Sequence, residues 1–251
     1  MAGTIGRAPG LCYSGAIMRR FPAEFADLLS PAGRRVLAGR APDARTAPFF
    51  AQAGLIDRGA ARAIHALLES ALAAHLAPMV RAIPPETIAN QTRNYQERLP
   101  KTVRVRSAFL DGRARARRVA GEIGLEGMLR SASFRAFAEA LAGEALAPDF
   151  GRQVLRYGPG DYSGPHTDHH PEDPRAAKGY FDLHVGFVGP AQARQLLVYA
   201  RDGHLCESVD VARPGMVSAY RLPFWHYTTP FEGAPKSARW VVLGTFYYAR
   251  F

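Results

Sequence analysis

The chain has 251 residues, 47% of them hydrophobic and 22% charged, with a formal net charge of +10. That is enough chain for one large domain or two small ones with a sizeable core, and the balance is that of an ordinary soluble globular protein. No apolar run reaches the ~18 residues of a membrane span, and the two cysteines, Cys12 and Cys206, form neither a disulfide framework nor a CxxC pair, so a reducing cytoplasm is the expected compartment.

The N-terminal stretch has a short, Gly-broken apolar run followed by the pair Arg19–Arg20, an order that does not suit a signal peptide. Met18 offers an alternative start, which would leave residues 1–17 as an ill-ordered extension. Over 57–78 the residues Ile64, Leu67, Leu68, Ala71, Leu72 and Leu76 recur at helical spacing, with Asp57 as N-cap and Pro78 near the stop. "KTVRVRSAFL" alternates as a strand does. It opens a basic run, 101–118, with seven basic residues against the single Asp111. A nucleic-acid or other anionic partner is one reading of that run, and a solvated face is the other. The overall charge is weak support for the first, because 29 of the 32 basic residues are Arg in an Ala-rich chain, the mark of a coding bias. Residues 131–146 form a second amphipathic helix carrying Phe134, Phe137, Ala138 and Leu141.

Past residue 150 the texture changes to short β-rich runs: "RQVLRYG", "YFDLHVGFVG", "QLLVYA", "MVSAYRL" and "RWVVLGTFYYARF", separated by Gly, Pro and Asp. Strands at this spacing predict a sandwich or barrel, of which a jelly roll is one closed form. The expected architecture is α+β, with N-terminal helices packed on one face of the β core.

Three histidines and an aspartate crowd "HTDHH", although the chain has only eight histidines. On an extended segment His166 and Asp168 project to the same side, so both can reach one metal ion. His226, in "RLPFWHYTTP", supplies a third ligand. Two histidines and a carboxylate on one face leave open positions suited to non-haem Fe(II) and oxygen, while zinc with such ligands could serve hydrolysis. Thirteen residues later Arg239 stands in the apolar strand "ARWVVLGTFYY". A guanidinium there needs an anionic partner, and the far carboxylate of a metal-chelating dicarboxylate would be one.

With these residues the chain resembles the 2-oxoglutarate- and Fe(II)-dependent oxygenases of the double-stranded β-helix (jelly-roll) fold, and within them the prolyl-4-hydroxylase-like branch. The resemblance spans about residues 131–251 and rests on "RYGPGDYSGPHTDH", "ARPGMVSAYRLPFWHYTTPFEG" and the Arg-bearing last strand. It implies His166, Asp168 and His226 as iron ligands, Arg239 as the residue that binds the 2-oxoglutarate C5 carboxylate, and Tyr157 as a further co-substrate contact. Residues 131–251 would be the oxygenase core, and 1–130 a mostly helical extension continuous with it. The implied reaction hydroxylates an unactivated C–H bond of a small molecule, amino acid or peptidyl side chain, using O2 and turning 2-oxoglutarate into succinate and CO2. Asp168, in place of Gly or Ala, favours oxygenation over halogenation. The chain departs from the branch at "ARQLL" around Arg194 and Gln195, where Gly-Gly is common, at Val241, where serine is common, and at Arg239, where lysine is common.

Substrate contacts are expected from Tyr162 and His184, and from a lid in residues 90–118, where Arg104 and Arg106 would clamp a substrate carboxylate or phosphate. Along "YFDLHVGF", Phe181, Leu183, Val185 and Phe187 share one face, leaving Asp182 and His184 on the other. Trp225 is expected to pack, and His169 and His170 to stand beside the metal or in solvent, with either one the ligand if the loop is read one register off. Two alternatives stand beside this reading: an oxidative demethylase of nucleic acid from the same superfamily, and a non-catalytic cupin-like binding protein.

Overall fold

Three short polar side chains begin the principal helices. In the computed structural model, which describes residues 18–39, 48–81, 102–112, 114–168, 179–201, 204–223 and 225–249, Ser30, Asp57 and Ser131 accept hydrogen bonds from the backbone N–H groups of Gly33, Ala60 and Phe134. Each satisfies a donor that the first helical turn cannot pair internally. The helices are α1 (Pro31–Leu37), α2 (Arg58–Ala71), α3 (Arg115–Glu122), α4 (Leu125–Leu129) and α5 (Ala132–Ala142). Helix α2 stops earlier than its apolar periodicity predicts. Leu72 and Leu76 stay buried, but they flank a 3-10 turn at Ala73–His75, and a strand at Ala77–Arg81 follows. Pro78 explains the change, since it would clash with the preceding helical turn and drives residue 77 to extended backbone. No helix among the described residues is long and apolar enough to cross a membrane.

The strands are β1 (Phe49–Gln52), β2 (Ala77–Arg81), β3 (Val103–Phe109), β4 (Leu146–Tyr157), β5 (Tyr162–His166), β6 (Tyr180–Val188), β7 (Ala193–Arg194), β8 (Leu196–Arg201), β9 (His204–Asp210), β10 (Val217–Leu222), β11 (Trp225–Thr228), β12 (Glu232–Gly233) and β13 (Arg239–Tyr248). Eleven of them form one antiparallel sheet in the order β1-β10-β6-β13-β4-β3-β5-β11-β8-β9, with β2 on β3 and with β7 and β12 paired separately. The chain passes from β4 to β5, back to β6, across to β8 and β9, back to β10, across to β11 and back to β13. That winding is a double-stranded β-helix. The sheet also recruits β1, β2 and β3 from the N-terminal half; β3 is the strand that the alternation of "KTVRVRSAFL" predicts, and β1 and β2 add to it.

Alternation sorts the side chains onto two buried faces. On β13, Trp240, Val242 and Phe246 join the core shared with α2 and α5, while Arg239, Val241, Leu243, Thr245 and Tyr247 line an internal cavity. On β6, Phe181, Leu183, Val185 and Phe187 take the helix side and Asp182 and His184 the cavity side, as the pattern predicts. Phe134 of α5 anchors the helix layer, fully buried against Phe25, Phe150 and Phe246 with ring centroids 5.2 to 6.1 Å away. The cavity side carries the polar groups.

Candidate metal centre

His166 ends β5 and is the direct cross-strand partner of His226 on β11. The pairing brings the two imidazoles to 4.3 Å between centroids. Asp168 follows two residues past His166, and its Oδ2 lies 3.1 Å from Nε2 of His166 and 3.5 Å from Nε2 of His226. The three donor atoms fall within 4.8 Å of one another. The convergence comes from a turn and not from the strand pleat: Asp168 lies beyond β5 with φ of 51°, in the left-handed region that aspartate tolerates better than most residues. Nδ1 of His166 is 2.6 Å from the carbonyl oxygen of Gly164. That carbonyl can only accept, so Nδ1 carries the proton and Nε2 presents its lone pair toward Asp168 and His226. Two imidazole nitrogens and one carboxylate oxygen on one side form a donor set that fits Fe(II).

Arg239, at the start of β13, is 3% exposed. Its backbone lies between Tyr157 of β4 and Val188 of β6. One guanidinium nitrogen, Nη1, donates to Oε1 of Gln195 at 2.9 Å. The guanidinium stacks over the Tyr157 ring, 5.4 Å from its centroid, and its buried Nε has no hydrogen-bond partner. No carboxylate among the described residues makes an ion pair with it. Burial lowers its pKa, and Tyr157, Tyr220 and Asp210 oppose that shift electrostatically. A cation held in this way favours an incoming carboxylate. Burial likewise raises the pKa of Tyr157, whose hydroxyl bonds to the Thr228 side chain, so the phenol stays a neutral donor.

Gln195 carries no role predicted from the sequence, where it stands only as a departure from Gly-Gly. It is fully buried. Its amide nitrogen donates to the carbonyls of Thr229 at 3.1 Å and Asp161 at 3.4 Å, which leaves Oε1 to face Arg239. The one signal along the chain is a polar residue opening the apolar strand "QLLVYA".

The triad, Arg239 and Tyr157 line one cavity of about 710 Å³. His184 lines it too, stacked edge-on against Tyr220 at 4.6 Å, and Tyr220 lies 5.2 Å from His226. Three expected substrate contacts are elsewhere. On β3, Val103 and Val105 turn inward to the cavity, so Arg104 and Arg106 take the opposite, exposed face. Arg104 pairs with Asp161 at 3.1 Å and donates to the carbonyl of Pro159, and Arg106 donates to the carbonyl of Leu76 at 2.8 Å. Tyr162 is the cross-strand partner of Arg104 and is not among the cavity-lining residues. Trp225 does not pack inside as expected; it is 43% exposed and lines the cavity. His169, His170 and residues 90–101 of the expected lid lie outside the described residues.

No family model and no curated protein sequence matches the chain. Among solved structures it is similar to a prolyl-4-hydroxylase from Pseudomonas putida, at 18% identity and a TM-score of 0.50 over 86% of this chain and 100% of that one. It is similar also to the non-haem α-ketoglutarate-dependent carbocyclase SnoK of nogalamycin biosynthesis, at 13% identity and 0.50 over 92% and 87%. The epimerase SnoN of the same biosynthesis matches at 16% identity and 0.50 over 87% and 84%. At such identities the likeness is one of fold, and the fold is the double-stranded β-helix of the 2-oxoglutarate- and Fe(II)-dependent oxygenases.

Proposed function

We propose that this chain is an Fe(II)- and 2-oxoglutarate-dependent oxygenase that hydroxylates a C–H bond of a small molecule, amino acid or peptidyl side chain. The observation that carries the reading is a His-Asp-His donor set and a buried arginine that pairs with no carboxylate among the described residues, all lining one cavity. The donor set by itself would also suit zinc, and a buried arginine by itself would also suit a purely structural role. Together they match the two ends of a metal-chelating dicarboxylate.

In this reading His166, Asp168 and His226 hold the iron, and Arg239 holds the far carboxylate of 2-oxoglutarate. When bound, iron with 2-oxoglutarate and O2 supplies oxidation of a substrate C–H bond, one oxygen atom entering the substrate and the other entering succinate as CO2 leaves. The protein's part is orientation. The carbonyl of Gly164 holds the His166 ring in the tautomer that offers Nε2. Gln195 fixes Arg239 from one side and the Tyr157 ring covers its face. Val241 and Leu243 next to Arg239 on the cavity wall exclude water and strengthen the arginine–carboxylate pair. Similarity to a prolyl-4-hydroxylase and to two α-ketoglutarate-dependent enzymes supports the class, and residues 1–130 and 131–251 would act as one unit because β1, β2 and β3 complete the same sheet.

The test is an anaerobic titration with Fe(II) and then 2-oxoglutarate, following the visible metal-to-ligand charge-transfer band. The band should need both additions, vanish in His166→Ala, and require far more 2-oxoglutarate in Arg239→Ala. Metal binding with no band on adding 2-oxoglutarate would point to a zinc hydrolase or a binding protein.

A further inference from the structure

Asp182, which is buried, and His184, which is partly buried, are polar residues on the cavity wall that neither the metal nor the co-substrate uses. They lie on the cavity face of β6, with Asp182 opposite Thr245 of β13 and opposite Tyr220 of β10. Oδ2 of Asp182 is 3.5 Å from Nε2 of His184, too long for a firm hydrogen bond. Oδ1 of Asp182 and Nε2 of His184 are both buried without a hydrogen-bond partner. A native chain satisfies nearly all such atoms with protein, water or ligand partners, so two of them side by side on a cavity wall call for a partner from the cavity.

The surroundings say what kind of group that is. Tyr180, Tyr220 and Tyr247 line the same part of the cavity, Tyr180 and Tyr247 with ring centroids 6.5 Å apart and Tyr220 against His184. A carboxylate among aromatic rings is the surrounding that an ammonium group selects, by charge and by the negative ring faces. The other charges on the wall are engaged or remote. Asp168 belongs to the triad, Asp111 lies 3.6 Å from Arg152, and Arg81 is exposed on β2. Arg239 starts β13 six residues before Thr245, so their backbones stand about 20 Å apart at a strand rise of roughly 3.3 Å per residue. The Asp182 end therefore does not compete with the carboxylate end.

We propose that Asp182 and His184, walled by the three tyrosines, bind a protonated amine on the substrate, so that the C–H bond presented to the metal belongs to an aliphatic ammonium compound or an amine-bearing side chain. This rests on the oxygenase reading above for its chemistry but not for its binding. It also replaces the anionic substrate expected from Arg104 and Arg106. An Asp-x-His pair on one strand face could be half of a second metal site, although the described residues offer no third ligand there.

Protein loaded anaerobically with Fe(II) and 2-oxoglutarate would be titrated with n-pentylamine, pentan-1-ol and pentanoate by ligand-observed NMR. The amine should bind at least tenfold tighter than the other two. Asp182→Asn should remove that preference, and so should Thr245→Lys, which sets an ammonium opposite Asp182 without deleting the buried carboxylate. Equal binding of the three probes, or a preference surviving both variants, overturns the proposal. So does a metal stoichiometry of two that falls to one in Asp182→Asn. Amine selectivity without the charge-transfer band would sink the oxygenase reading and leave the amine site standing; the band without selectivity would sink the amine site alone.

Discussion

Glu69 of α2 accepts a 2.8 Å hydrogen bond from the indole N–H of Trp240, the residue that follows Arg239 on β13. The same carboxylate takes a two-pronged bond from Arg156 on β4, at 2.9 and 3.2 Å. One side chain on the helix layer thus ties together the two strands that carry Arg239 and Tyr157. Because Trp240 is fully buried, removing its acceptor leaves an N–H with nowhere to go.

Glu69→Ala is therefore expected to destabilise the fold by about 1–3 kcal/mol, the penalty for stranding a buried donor. Urea denaturation should show a lower midpoint with an unchanged slope. An unchanged midpoint would mean that solvent replaces the carboxylate without loss.

Gln195→Leu keeps the volume at a fully buried position but removes the only side-chain acceptor on Arg239 among the described residues. Hydrogen bonds to charged groups contribute about 1.5–3 kcal/mol, so half-saturation by 2-oxoglutarate should need roughly ten- to hundredfold more co-substrate. Fe(II) affinity should hold, since the side-chain hydrogen bonds of Gln195 run to Arg239, Thr229 and Asp161. The charge-transfer titration reads both, and a parallel loss of Fe(II) would show that the variant disturbs the whole cavity.

Gly164 is packed against Thr102 so closely that a Cβ would stand 2.6 Å from the Thr102 carbonyl oxygen. Its N–H also donates to that carbonyl, at 2.6 Å, and its own carbonyl orients His166. Gly164→Ala must shift this backbone. Misplacing the partner of a metal-ligating histidine weakens metal binding by about 10- to 100-fold. Competition with a coloured chelator would measure it, and wild-type affinity in the variant would refute the orienting role of Gly164.

His65 on α2 bonds through Nε2 to the carbonyl of Ala238 at 3.1 Å. Burial lowers its pKa below the ordinary 6.5, and so does Arg156, against the raising effects of the Ala238 carbonyl and Glu69. The unfolded chain then takes up the proton first as pH falls. The stabilisation from a neutral His65 is complete above about pH 6.5 and is lost as pH drops from there toward the lower folded value. Chemical denaturation between pH 7.5 and 5 should show this slope, and His65→Gln, which keeps a donor for Ala238, should flatten it. An identical slope in the variant would assign the effect to another group.

Much of the candidate site is legible along the chain because its residues are anomalies where they stand. His166 and Asp168 stand in a five-residue stretch that holds three of the chain's eight histidines, and Arg239 is a cation in an apolar strand. The alternation of β6 puts Asp182 and His184 opposite its four apolar neighbours, and the structure keeps that division. Arg104 and Arg106 stand away from the cavity, against expectation, because a charged run advertises only its charge. The valines between them take the cavity face and turn both arginines out.

What the sequence determined by itself is local: strand parity, the helix cap at Asp57, and which side chains are costly to bury alone. Those follow from backbone periodicity and desolvation, which act over a few residues. The tertiary structure alone decided which elements meet. Gln195 reaches Arg239 across 44 positions, and His226 faces His166 across 60. Asp168 turns to them through a left-handed backbone that no periodicity encodes. Strand order in an antiparallel sheet is set by how the apolar faces of all its strands close on one core, and no single segment carries that information.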